Sequence, residues 1–168
     1  GDSARKFEKA SQGKADALIL DLEDSVAPAQ KAVARTTTAT MLSSSARGRQ
    51  QLFVRVNALD TGLTLPDLAG VMAARPDGIV LPKCRGGDDV RQLDHYLDAF
   101  EAMNGLPAGS TRILAIATET AGSLFGLGSY AGCSARLWGM MWGAEDLAAA
   151  LGAFDNHAND RFTDPYRL

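Results

Sequence analysis

The chain has 168 residues, 46% hydrophobic and 22% charged, with a formal net charge of −3. That length suits one domain with a real core, and a mildly acidic balance without a basic stripe removes the electrostatic case for nucleic-acid binding. No stretch is long and apolar enough to span a bilayer and no signal-peptide pattern is visible. Two cysteines, Cys84 and Cys133, lack metal-ligand spacing, so a reducing cytoplasm is the expected compartment.

The first pattern is a helix capped by Asp2 or Ser3 and running to about Gln12. Residues 17–22 then read as a strand, and the stretch LILDLEDSVAP at 18–28 crowds Asp21, Glu23 and Asp24 among leucines. Pro28 suits a first helical position, and an Ala- and Thr-rich helix follows to Met41. Strands are predicted at 52–56, 78–81, 113–117 and 137–142, with short helices near Pro66 and Gly122 and another over 145–151. The clearest helix covers 88–103, where Val90, Leu93, Leu97 and Phe100 share a face. Trp138, Met140, Met141 and Trp142 read as packing residues of a strand buried on both faces. Near the end, Asp164 and Pro165 predict the start of one more helix.

Strand starts recur every 25–35 residues or so, the length of a βα unit. This predicts parallel strands adjacent in chain order, as in an arc of a barrel. Residues 1–168 read as a single domain and a fragment of a larger α/β protein. The strand ends carry Glu23–Asp24, Arg55 to Asn57, Lys83, Glu119 and Gly143 to Asp146, and such ends are where parallel α/β folds gather their chemistry. Strand parity puts Phe53, Arg55 and Asn57 on one face, and Asp21 and Glu23 on one face of theirs. A guanidinium within a strand needs an anion, from the protein or from a ligand.

Local alternatives remain at each position. The acids at 21–24 either cap the next helix and pair with Arg55 or Lys83, or serve a ligand. Glu145 and Asp146 suit a helix's first turn by charge alone. Glu119 has no obvious capping duty. Lys83 is either an exposed loop lysine or part of the site, and His95 lies off its helix's apolar face, in solvent. GLGSYAG at 126–132 has the wrong spacing for a dinucleotide loop.

Taken together, ADALILDLEDSVAPAQKAVAR, FVRVNALDT, DGIVLPK, ILAIATETAGSLFGL and RLWGMMWGAEDLAAALG resemble the citrate lyase beta subunit family, the citryl-CoA lyase branch of the HpcH/HpaI aldolase superfamily. The resemblance implies a partial (β/α)8 TIM barrel that lacks the first strand and the last two βα units. It implies a Mg²⁺-dependent carbon–carbon lyase joining acetyl-CoA to a 2-oxo acid such as oxaloacetate or glyoxylate, and a homo-oligomer when full length. By the motif match, Glu119 and Asp146 are the metal ligands, and Arg55 and Glu119 the catalytic residues. Arg55 clamps the substrate carboxylate, aided by backbone N–H groups of Ala144 and Glu145. Glu23 and Asp24 lie on the rim, holding waters or Arg55, and Lys83 is not a nucleophile. PKCRGGDD departs from the family pattern, with Arg85 where many relatives carry an acid. A CoA-independent aldehyde–pyruvate aldolase and a non-catalytic oxo-acid-binding subunit are the competing expectations.

Overall fold

A computed structural model describes residues 3–46, 48, 50–153, 155 and 157–162. Its five main strands are β1 (Ala17–Asp21), β2 (Gln51–Arg55), β3 (Gly78–Leu81), β4 (Arg112–Ile116) and β5 (Leu137–Met141). They form one sheet in chain order, every pair parallel, with register Ala17–Gln51, Phe53–Gly78, Gly78–Arg112 and Ile113–Leu137. The α/β class and the parallel order are therefore as expected, with strand ends displaced by at most one residue. A two-residue hairpin, β6 (His157–Ala158) with β7 (Arg161–Phe162), is antiparallel, separate from the sheet and unanticipated.

Six helices are described: α1 (Ala4–Ser11), α2 (Lys31–Ser44), α3 (Thr64–Val71), α4 (Gly87–Met103), α5 (Ser123–Gly126) and α6 (Ala144–Leu151). Ser3 caps α1 by accepting the Lys6 N–H, while the other candidate cap, Asp2, lies outside the described residues. The final helix start, Asp164–Pro165, also lies outside them. Pro28 opens a 3₁₀ turn (Pro28–Gln30) that feeds α2. The threonines that weaken α2 as a helix are accommodated by back-bonding: Thr37 and Thr40 hydroxyls donate to the carbonyls of Val33 and Thr36 at 3.0 Å.

The core is the layer between sheet and helices. Leu20, Leu52, Val54, Ile79, Leu81 and Ile113 point outward onto Met41 and Leu42 of α2, Leu68 and Val71 of α3, and Val90, Leu93 and Leu97 of α4. Each such side chain contributes roughly 1.5–3 kcal/mol by burial. The expected apolar face of α4 is thus the one buried, and His95 is exposed. The segment at 126–132 serves packing: Ser129 Oγ accepts the Gly87 N–H at the start of α4 (2.8 Å), and the Tyr130 hydroxyl donates to the Cys84 carbonyl.

A second, smaller apolar layer lies on the other face of the sheet, formed by Phe53, Val80 and Ile116 with Ala17 and Leu114 against them. The Phe53 ring stacks on Trp138 at 5.6 Å, and the Arg112 guanidinium sits 4.8 Å over the Trp138 ring. Only a glycine at 78 permits this. A Cβ there would lie 2.2 Å from Phe53 Cε1 and 2.9 Å from the Arg112 carbonyl oxygen.

One expectation fails here. β5 is not buried on both faces: Trp138 is 53% exposed and Met140 47%. Among the described residues β5 pairs only with β4, so no strand lies beyond it. An apolar run marks what a strand is able to bury, and not what is present to cover it.

Candidate active site

The carboxyl ends of the strands converge on one mouth. Asp21 and Arg55 are direct register partners on β1 and β2. Their side chains form a bidentate pair, Arg55 Nε to Asp21 Oδ1 and Nη2 to Oδ2, both 2.7 Å. The Glu23 and Ser25 N–H groups also donate to Asp21. Burial alone would push the Asp21 carboxyl up, but Arg55, Ser25 and the Glu23 amide together hold it well below the usual carboxylate range. Arg55 therefore finds its anion first within the protein. Three of its five N–H donors face Asp21 and Glu23, and its side chain stays 22% exposed.

Beyond β1 the chain turns, and Glu23 is buried at 4% exposure. Its Oε1 accepts from Lys83 Nζ at 2.6 Å. Its Oε2 lies 3.0 Å from Arg55 Nη1 but without hydrogen-bond alignment, which leaves that buried oxygen lacking a donor. Burial raises the Glu23 carboxyl above its ordinary value, outweighing Lys83 and Arg55. Asp24 is more exposed and meets Lys83 at 3.3 Å. The acids at 21–24 thus pair across strands, and neither the 3₁₀ turn at Pro28 nor α2 has a side-chain cap. Lys83 likewise is no free loop lysine.

Asn57 departs from the parity expectation. Strand geometry ends at Arg55, so alternation no longer governs it. Its side chain instead donates to the buried Asp67 carboxylate and the Leu22 carbonyl and accepts from Lys31. Arg35 completes this network on Asp67 at 2.7 Å. These bonds tie the loops after β1 and β2 together and keep Asp21, Glu23 and Arg55 in register.

Glu119 follows β4, is 6% exposed, and accepts the Lys83 N–H at Oε2, 2.5 Å away. Gly143 caps α6 and donates its N–H to Thr118 Oγ1 at 2.9 Å. A side chain at 143 would strike Glu119: a Cβ there would be 2.3 Å from Glu119 Cγ. Asp146 lies in the first turn of α6, whose opening N–H groups have no intrahelical acceptor. Burial pushes the Glu119 carboxyl up to about 7; a hydrogen bond with Asp146 adds to the rise, against the Lys83 N–H. Two carboxyl groups lining one cavity form a natural seat for one divalent cation.

Asp24, Arg55, Glu119, Glu145 and Asp146 line one cavity of about 260 Å³, walled by Met141 and Trp142. A larger groove of about 840 Å³ runs between α1 and α2, beside Phe7, Thr40 and Met41. It is remote from the converging charges, so the smaller cavity is the candidate site despite its size. Among the described residues no group of three His, Cys, Asp or Glu side chains is arranged to hold a metal. A two-carboxylate seat fits Mg²⁺ nonetheless, because that ion keeps several waters and shares its shell with ligand oxygens. The structure thus brings Arg55, Glu119, Ala144, Glu145 and Asp146 to one cavity with Asp24 at its edge, and sets Glu23 behind Arg55 and Lys83. Sequence reasoning offered Arg55 or Lys83 as partners for the acids at 21–24 without singling out Asp21 for Arg55, and it missed Gly143 as the residue that makes room for Glu119.

Residues 1–164 match the family described as HpcH/HpaI aldolase/citrate lyase. The L-malyl-CoA/beta-methylmalyl-CoA lyase of Cereibacter sphaeroides is 35% identical over 157 residues, 90% of this chain and 48% of that protein. The citrate lyase subunit beta of Haemophilus influenzae is 36% identical over 151 residues, 90% of this chain and 52% of that protein. A Mycobacterium tuberculosis citrate lyase beta subunit complexed with oxaloacetate and magnesium superposes with a TM-score of 0.72 at 32% identity, over 97% of this chain and 64% of that one. The chain spans about half the length of the curated relatives it matches.

Proposed function

Because the chain belongs to the HpcH/HpaI aldolase/citrate lyase family, we propose that it carries the metal and oxo-acid site of a Mg²⁺-dependent carbon–carbon lyase. The reaction is cleavage or formation of a citryl-CoA- or malyl-CoA-type thioester from acetyl-CoA and a 2-oxo acid. The observation that carries this reading is the meeting of Glu119, Asp146 and Arg55 at one cavity of about 260 Å³, a volume suited to a small oxo acid. The relatives named malyl-CoA lyase and citrate lyase subunit support the thioester class.

Glu119 and Asp146 would hold Mg²⁺. Bound there, the ion supplies Lewis acidity at the oxo-acid carbonyl and offsets the charge that develops on its oxygen. Arg55 receives the substrate carboxylate on the N–H donors left over from Asp21 and Glu23. Asp21 keeps the guanidinium plane fixed, so the clamp is oriented before substrate arrives. The first-turn amides of Ala144 and Glu145 add donors at the positive end of α6. Glu23 and Asp24 act through Arg55 and Lys83 and bind no metal directly. On this reading the five strands are part of a (β/α)8 barrel, residues 1–168 are one piece of that single domain, and the active species is a cytoplasmic homo-oligomer of the full-length protein.

The test is turnover by the full-length protein with Mg²⁺. Citryl-CoA or malyl-CoA should release oxaloacetate or glyoxylate, measured as the hydrazone. Glu119→Gln and Asp146→Asn should nearly abolish release and Mg²⁺ binding by calorimetry; Arg55→Ala should weaken oxo-acid binding and spare Mg²⁺. Condensation of pyruvate with a free aldehyde, and no action on either thioester, would select the aldolase reading. Oxo-acid binding without any turnover would select the binding-subunit reading.

A further inference from the structure

Lys83 is built into the mouth in an unusual way. It is a non-glycine residue with φ of 51°, a left-handed conformation that side chains disfavour. Two sets of bonds hold it there. Its backbone N–H donates to Glu119 Oε2, and its Nζ reaches Glu23 Oε1 at 2.6 Å, Asp146 Oδ2 at 3.2 Å and Asp24 Oδ2 at 3.3 Å. One residue thus touches Glu119 through its main chain and Asp146 through its ammonium. Three carboxylates thus surround that one ammonium.

We propose that Lys83 is a resident cation that competes with the divalent ion for Asp146 and so sets the metal affinity of the site. Accepting the reading that Glu119 and Asp146 hold the metal, an ion on Asp146 Oδ2 meets the like charge of an ammonium 3.2 Å from that oxygen and is repelled by it. The ammonium then withdraws onto Glu23 and Asp24, which already hold it. The backbone bond to Glu119 keeps the residue in place during the exchange. The long, flexible lysine stem and its point charge suit this movement, as a rigid guanidinium fork would not. Lys83 acts here through its charge on Asp146 and touches no reacting atom.

The experiment is Mg²⁺ titration calorimetry on the full-length protein and its variants, beside thermal unfolding with and without Mg²⁺. Lys83→Met keeps the stem and removes the charge. It should tighten Mg²⁺ binding about tenfold, the scale of one full charge acting at ion-pair distance in a solvated mouth. It should also lower the metal-free Tm and enlarge the rise in Tm on adding Mg²⁺. Lys83→Met stranding the buried Glu23 is a folding hazard, so Lys83→Met with Glu23→Gln is the second variant, with a smaller tightening in the same direction expected because a negative charge leaves with the positive one. Lys83→Arg should not tighten Mg²⁺ binding and should weaken it, because the charge remains and the rigid fork withdraws less readily. A structural bystander or a residue that merely orients Asp146 would leave affinity unchanged or weaken it, and either result overturns the proposal. If the parent binds no Mg²⁺, or Asp146→Asn binds it equally, the metal reading falls and takes this proposal with it. Parent binding that depends on Asp146 but is indifferent to Lys83 sinks the proposal alone.

Discussion

Replacing Arg136 by methionine would break a buried charge cluster at the amino end of β5. The Arg136 side chain is 5% exposed and all five of its N–H donors are engaged. Nη1 and Nη2 reach the two Glu101 oxygens at 2.7 and 2.8 Å, Nη1 also reaches the Thr111 carbonyl, and Nε and Nη2 reach Asp94 and Asp98. Glu101 itself is 1% exposed, and after the substitution only the Gly109 and Thr111 amides and the Ser110 hydroxyl would face it. Removing one partner of a buried pair costs about 3–5 kcal/mol, because the stranded charge is more expensive than the pair was valuable. The loss should depend on pH. Burial raises the Glu101 carboxyl, but Arg136 and the Thr111 and Gly109 amides reverse this and bring it down to about 2 from 4.5. A depressed carboxyl stabilises the fold above its unfolded value, and that stability is lost as pH falls from about 4.5 toward 2. Without Arg136 the buried carboxyl titrates higher, so the variant's deficit should be largest near neutrality and shrink as the pH falls through 4.5. Urea unfolding of parent and variant at pH 7 and pH 4 measures both effects. A deficit below about 1 kcal/mol at pH 7, or one equal at both pH values, would refute the argument. Arg136→Met combined with Glu101→Gln should recover part of the loss, since no buried charge is then stranded.

Gly78→Ala should destabilise by about 1–3 kcal/mol in thermal unfolding, because its Cβ meets both the Phe53 ring and a backbone oxygen. Gly143→Ala should instead act on the site: by displacing Glu119 it should weaken Mg²⁺ binding more than it lowers the Tm. Asp21→Asn should loosen the Arg55 clamp, raising the Kd for a 2-oxo acid severalfold while calorimetry finds Mg²⁺ affinity nearly unchanged.

Much of this architecture was legible in the chain. Alternating strand and helix patterns placed all five strands of the sheet to within a residue, and Val90, Leu93 and Leu97 marked the face that α4 buries. Strand ends brought Arg55, Glu119 and Asp146 into view together with Glu23, Asp24 and Lys83, and the family resemblance singled out the first three. The exposed Trp138 and Met140 were not legible, because an apolar strand looks the same whether or not anything covers it. Glu101 was also hidden. A glutamate in the last turn of a helix reads as solvated until Arg136, 35 residues later, is found against it.

Sequence alone determined the elements, their order and the kinds of side chain delivered to each strand end. These follow from local rules, since a strand buries every second residue and a helix one stripe. Tertiary structure decided the partnerships: Arg55 with Asp21, Lys83 with Glu23 and Asp146, Glu119 beneath Gly143. An acid near a strand end has the same local signature whether it caps a helix, neutralises an arginine or holds a metal. Only the register of neighbouring strands, which brings residues 21 and 55 within a few ångströms, settles which opposite charge each one meets.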